Sequence, residues 1–170
     1  TDVENVFKFV PVETGLGIKT ISMNFMIEEE EPLLWKGPVL GNVLMQLFTD
    51  TDWGELDYLL IDMPPGTGDV AMTIMEQFPV DYLVMVSTPQ NMVSMIVQKV
   101  VNMAEKLEIR VKGVIQNLPY IKRNHCGEKM NVFTRNTAES QAEKMGLPLL
   151  AEPPINPDFS EHLEAGQAER

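Results

Sequence analysis

The sequence is short of basic residues and almost without cysteine. Lys and Arg number 13 against 25 Asp and Glu, leaving a net charge of −12. Phosphate backbones and anionic lipid surfaces both call for a basic face, so nucleic acid and membrane are excluded as direct partners. The single cysteine, Cys126, excludes an internal disulfide and fits a reducing compartment, hence the cytoplasm. No apolar run approaches the roughly 20 residues of a membrane span. The start, Thr1-Asp2-Val3-Glu4-Asn5, has no basic region followed by an apolar one, so no signal peptide is read there. It also lacks a methionine, which fits a processed chain or a fragment. Charged residues make up 22% and hydrophobic residues 44% of the 170, the balance of one soluble domain with a core. The 12 methionines read as core filler, Met92 and Met95 at helical spacing included.

A phosphate loop is the next absence. Gly15-Leu16-Gly17-Ile18-Lys19-Thr20 imitates one, but the pattern needs Gly directly before the Lys and again five positions earlier. Those positions hold Ile18 and Glu13. The segment also leads into an expected strand, whereas a phosphate loop leads into a helix.

What is present is an alternation of strand and helix patterns. Short strands are expected over 8–12 and 18–26, and the acidic run 28–31 followed by Pro32 reads as a solvated turn. A helix is expected over 38–48. Residues 58–62 form a continuous apolar run closed by Asp62, the pattern of a buried parallel strand. Asp69 is placed to cap a helix through Phe78. A buried strand is expected over 81–87. A long helix follows over 91–107, with Val93, Ile96, Val97, Val100, Val101 and Ala104 inward. A strand over 111–116, a helix over 137–145 closed by Gly146 and a short strand at Leu149-Leu150 complete the series. The tail from about residue 158 is polar and is expected to fray. Strands alternating with helices predict one α/β domain over residues 1–170, with a doubly wound, mostly parallel sheet. Right-handed crossovers then put all strand carboxyl ends on one rim.

The chemistry lies in Asp62-Met63-Pro64-Pro65-Gly66-Thr67-Gly68-Asp69. A carboxylate at a strand tip can hold Mg²⁺ directly or through water. Pro64 and Pro65 forbid a helix and direct the loop. Gly66 and Gly68 let backbone N–H groups approach a phosphate. Asn117, at the next strand tip but one, offers an amide to a purine edge or simply closes a turn. Ser87-Thr88-Pro89-Gln90 reads as a helix-capping turn. Arg123-Asn124-His125-Cys126-Gly127 is a polar loop carrying the lone thiol, which is either incidental or one metal ligand with His125 as helper.

With these motifs in order, the chain resembles the Mrp/ApbC family of deviant P-loop ATPases, relatives of MinD and ParA. The resemblance runs over 18–157. It rests on Trp35-Lys36-Gly37-Pro38, Trp53-Gly54-Glu55-Leu56-Asp57-Tyr58, the Asp62–Asp69 block, Thr88-Pro89-Gln90, Asn117-Leu118-Pro119-Tyr120 and Cys126-Gly127. It implies an ATP- and Mg²⁺-dependent iron–sulfur cluster carrier that works as a homodimer and serves apo iron–sulfur proteins. In that scheme Asp62 is the Walker B carboxylate, and Asp62 and Gly66 act in ATP hydrolysis. Pro64, Pro65, Gly66, Thr67, Gly68 and Asp69 form switch II, and Asn117 contacts adenine. Cys126 is the second cysteine of a C-x-x-C pair whose cluster bridges two subunits.

Two departures stand out. The family's loop Gly-Lys-Gly-Gly-Val-Gly-Lys and its switch I aspartate do not occur in the 170 residues, and Arg123 occupies the first cysteine position. The first departure predicts a sheet short of a strand and helix, apolar faces left open and self-association. Together they keep a second reading in play, a catalytically dead pseudo-ATPase acting as an interaction protein. A MinD/ParA-like positioning ATPase ranks third, because the acidic tail offers no basic or amphipathic surface.

Overall fold

The computed structural model describes residues 8–26, 37–88, 91–123, 127–132, 138–167 and 169. The chain divides into two compact units, one up to Met63 and the other from Pro64 to Ala168.

The first unit opens with a small antiparallel hairpin, β1 (Val12–Glu13) and β2 (Lys19–Thr20). Its turn is closed by the Gly17 N–H donating to the Thr14 carbonyl at 3.0 Å. The expected second strand is therefore only two residues long, and a 3₁₀ turn over Met23–Met26 replaces its far end. The Ser22 carbonyl accepts the Phe25 N–H at 3.1 Å, a local bond that competes with any ladder. Helix α1 (Gly37–Thr49) carries Pro38 in its first turn, where a missing N–H costs nothing. Leu47 and Thr51 are buried near its end. Phe9 bridges Thr51 in parallel, with its N–H on the Asp50 carbonyl and its carbonyl taking the Asp52 N–H, both at 2.8 Å.

The expected strand over 58–62 does not form. The segment lies outside every sheet, with Tyr58 85% and Leu60 91% exposed. The physical reason is the absence of a neighbour. A strand gains only when its N–H and C=O groups meet another ladder, and this segment pairs with none among the described residues.

The second unit holds the sheet. Helix α2 (Asp69–Gln77) begins after Gly68, which is the N-cap and supplies no side-chain cap. Asp69 is thus the first helical residue rather than the cap, where its charge still favours the positive end of the helix dipole. Then come β3 (Tyr82–Ser87), α3 (Asn91–Lys106) and β4 (Arg110–Gln116). The hairpin β5 (Tyr120–Lys122) and β6 (Lys129–Asn131) follows, then α4 (Ala138–Met145) and β7 (Leu149–Ala151). Strands β3, β4 and β7 make one parallel sheet in the order β3-β4-β7, so β3 is an edge. Together with the helices on it, this is the α/β architecture expected.

The core sits between this sheet and α3 and α4. Met85, Val97, Val101, Val114, Ala142 and Met145 form one buried cluster. Val97, Val101 and Ala104 recur at helical spacing and are buried, whereas Ile96, one position off that stripe, is exposed. Val93 lies where no side chain is described. Gly113 is required in β4: a Cβ there would meet the Pro148 carbonyl oxygen at 2.5 Å, and that oxygen accepts the Val114 N–H at 2.9 Å. On the opposite face Tyr82, Val84 and Val86 stay exposed, although a parallel sheet is ordinarily covered on both sides.

Residues after Asn156 form α5 (Pro157–Glu164) instead of a frayed tail. The Asn156 Oδ1 accepts the Asp158 N–H at 3.2 Å, and Pro157 has its φ preset for a helix start.

Candidate functional site

Met63, the residue after Asp62, ends the first unit, and Pro64 opens the second. The two halves of the sequence motif therefore belong to different compact units. Asp62 is exposed, as are Pro64, Pro65, Thr67, Gly68 and Asp69. Gly66 is half-buried and has φ +90°, a backbone region that residues with a Cβ rarely enter. Among the described residues, and apart from each glycine and its two chain neighbours, no atom lies within 4 Å of the position a Cβ would take at Gly66 or at Gly68. The loop is thus turned by its own backbone, with open space beside both glycines.

In the second unit, the carboxyl ends of β3 and β4 converge. Ser87 pairs with Gln116 in register, and the Asn117 N–H donates to the Ser87 carbonyl at 2.6 Å. Leu118 takes φ +58°, and its N–H donates to the Pro153 carbonyl at 3.0 Å. The chain therefore turns sharply just after Asn117, which is half-buried at the rim where open α/β sheets bind ligands.

Sequence reading passed over Gln116. Its side chain is fully buried, and neither its Oε1 nor its Nε2 has a hydrogen-bond partner among the described residues. The signal was available: strand alternation places residue 116 on the face of Val114, so a polar side chain was due in a core position.

The thiol loop is described only at its flanks. Cys126, with Asn124 and His125, lies outside the described residues, as do Pro89 and Gln90 of the Thr88 turn. Arg123, in the place of a first cysteine, is engaged by Glu128 at 3.4 Å, and both side chains are well exposed. Backbone bonds close the loop, from the Gly127 N–H to the Arg123 carbonyl at 2.9 Å and from the Arg123 N–H to the Glu128 carbonyl at 3.1 Å. Among the described residues no group of three or more His, Cys, Asp or Glu side chains could hold a metal ion.

The ParA family model, described as NUBPL iron-transfer P-loop NTPase, matches residues 2–169. An iron-sulfur cluster carrier protein of Clostridium perfringens is 58% identical over 163 residues, covering 95% of this chain and 57% of the relative. The iron-sulfur cluster transfer protein NUBPL of Dictyostelium discoideum is 38% identical, covering 94% of this chain and 49% of the relative. Among solved structures, a nucleotide-binding protein in complex with ADP from Archaeoglobus fulgidus superposes with a TM-score of 0.79 at 34% identity. That match covers 99% of this chain and 65% of the other. The cell division ATPase MinD of Pyrococcus furiosus, at 23% identity and a TM-score of 0.53 over 77% of this chain and 48% of the other, shares the fold. The chain spans about half to two thirds of the length of these proteins. It belongs to the ParA family of P-loop NTPases that includes the NUBPL iron-transfer proteins.

Proposed function

We propose that the protein is an ATP-dependent iron–sulfur cluster carrier of the Mrp/ApbC type, acting in the cytoplasm as a homodimer and delivering clusters to apo iron–sulfur proteins. The observation that carries this reading is the Asp62–Asp69 block, with Gly66 held at φ +90° beside open space, in a chain that matches an iron-transfer NTPase family over residues 2–169. Among the described residues no helix is long and apolar enough to cross a membrane.

The residues present fit a nucleotide in part. Gly66 and Gly68 would offer N–H groups to the terminal phosphate, Pro64 and Pro65 would hold the loop open, and Thr67 and Asp69 would flank it. Asn117 would take the adenine edge through its amide. Asp62 would hold Mg²⁺ through one carboxylate, a coordination in which the ion keeps most of its waters. Bound Mg-ATP would supply a phosphoryl bond whose cleavage changes the contacts available to Gly66. The protein's own share is to orient the phosphate and screen its charge. The lysine that usually does most of this screening is not among the 170 residues.

The cluster is cargo. A thiolate from Cys126 in each of two copies would supply two ligands, and a bridging cluster needs about two more. Arg123 cannot be one of them, since a guanidinium is a donor without a lone pair to give. The pairing of Arg123 with Glu128 favours the second reading, a pseudo-ATPase that keeps the fold as an interaction surface.

Two measurements separate them. Calorimetric titration with Mg-ATP should give micromolar binding that Asp62→Ala abolishes. Anaerobic reconstitution with iron and sulfide should give charge-transfer absorption that disappears in Cys126→Ser. Binding without a chromophore supports the interaction protein, and neither signal in the full-length protein removes the carrier reading.

A further inference from the structure

We propose that Gln116 is a positioning residue for the nucleotide: its amide, without a hydrogen-bond partner among the described residues, gains partners when a base seats against Asn117. The inference rests on the nucleotide reading of the strand tips. Gln116 is 0% exposed and is the last residue of β4. Its side chain lies on the face of Val114, whose neighbours are Met85, Val97, Val101, Ala142 and Met145. Neither amide atom meets a hydrogen-bond partner among the described residues. Ser87, across the ladder, is equally shut away, and its hydroxyl is directed to the Thr88 carbonyl at 3.2 Å.

A leucine would fill this space at no polar penalty, while a buried amide left unpaired is among the costlier ways to occupy a core. Breaches of packing logic of this kind concentrate at functional sites. This one is the immediate neighbour of Asn117, whose N–H already ties β4 to β3 at 2.6 Å. The amide offers one acceptor and two donors. A small movement of the Ser87–Thr88 and Asn117–Leu118 turns toward a bound base brings backbone groups to both. The stability withheld in the free protein then appears as affinity, and Asn117 is held in its reading orientation only when the base is present.

The test uses the full-length protein with ADP as probe. Gln116→Leu should melt about 2–4 °C higher than the wild type without nucleotide and bind ADP about ten-fold more weakly. In the wild type, the Gln116 side-chain amide proton resonance, assigned by its loss in Gln116→Leu or Gln116→Met, should move downfield on ADP addition. A lower melting temperature with unchanged ADP affinity makes Gln116 purely structural and overturns the proposal. ADP binding that shifts the Asn117 backbone resonance but leaves the Gln116 amide unmoved overturns this inference alone. No ADP-dependent shift at Asn117 or Gly66 removes the nucleotide reading, and this inference with it.

Discussion

Ser87 and Gln116 end neighbouring parallel strands in exact register, and the residue after Gln116 ties back to the Ser87 carbonyl at 2.6 Å. The rim is therefore built on a ladder whose rigidity comes from one step deeper, where Val114 pairs with Met85. Val114 is fully buried. Val114→Ala should lower stability by about 2–3 kcal/mol, two lost methyl groups plus the cavity they leave. Urea unfolding followed by circular dichroism measures it; a loss under about 0.5 kcal/mol would mean that the cluster repacks freely.

The two glycines of the loop should behave differently. Gly66 at φ +90° has room for a Cβ but not the backbone freedom, so Gly66→Ala should cost about 1 kcal/mol. Gly68 sits at φ −72°, ψ 175°, caps α2 without a side chain and also has room. Gly68→Ser should therefore be neutral or stabilising by a few tenths of a kcal/mol. Equal melting temperatures for the two variants would remove the argument that Gly66 is conformationally required.

Gly113 is restricted by space as well as by its own backbone, which takes φ +157°. Its Cβ would come within 2.5 Å of the Pro148 carbonyl oxygen and 2.8 Å of the Leu150 Cγ. Gly113→Ala should push β7 away from β4 and cost about 1–3 kcal/mol. Hydrogen exchange should show Val114 losing protection first, because its N–H bond to the Pro148 carbonyl is the one displaced. Uniform loss of protection across the sheet would argue against a local clash.

These contrasts also explain how much could be read from the chain alone. Helix α3 was legible because Val97, Val101 and Ala104 repeat at helical spacing, a local property. The sheet β3-β4-β7 was legible because its strands are apolar runs divided by helices. Residues 58–62 carry the same apolar signature, yet a strand is a relation between two segments, and sequence shows only one of them. The burial of Gln116 was legible from its alternation with Val114, but a polar residue at a strand end is equally at home in a turn. Helix α5 was missed because two residues, Asn156 and Pro157, start it, while its sequence is mostly polar, with Phe159 and Leu163 its large apolar side chains.

The outer face of β3 gives a prediction about surface rather than core. Tyr82, Val84 and Val86 are 49%, 47% and 60% exposed, and Lys112 covers only the Tyr82 ring, at 4.0 Å. Val84→Thr and Val86→Thr together should change stability by less than about 1 kcal/mol, about 0.5 for each surface site. They should clearly reduce binding of a hydrophobic dye. A large loss of stability with no change in dye binding would mean that this face is covered in solution.

Arg123 allows the cargo site to be tested by gain instead of loss. Its ion pair with Glu128 is exposed, and such pairs contribute about 0–1 kcal/mol. Arg123→Cys should therefore fold as the wild type does, with the loop still closed by the backbone bonds between residues 123, 127 and 128. It would place a second thiol three positions before Cys126. If Cys126 is a cluster ligand, this variant should take up more iron and sulfide per chain than the wild type. Its visible absorption should fall back to the wild-type level in Arg123→Cys/Cys126→Ser combined with a second copy of the wild type. Equal iron uptake in the wild type and Arg123→Cys would separate Cys126 from cluster chemistry and leave the loop as a folded surface.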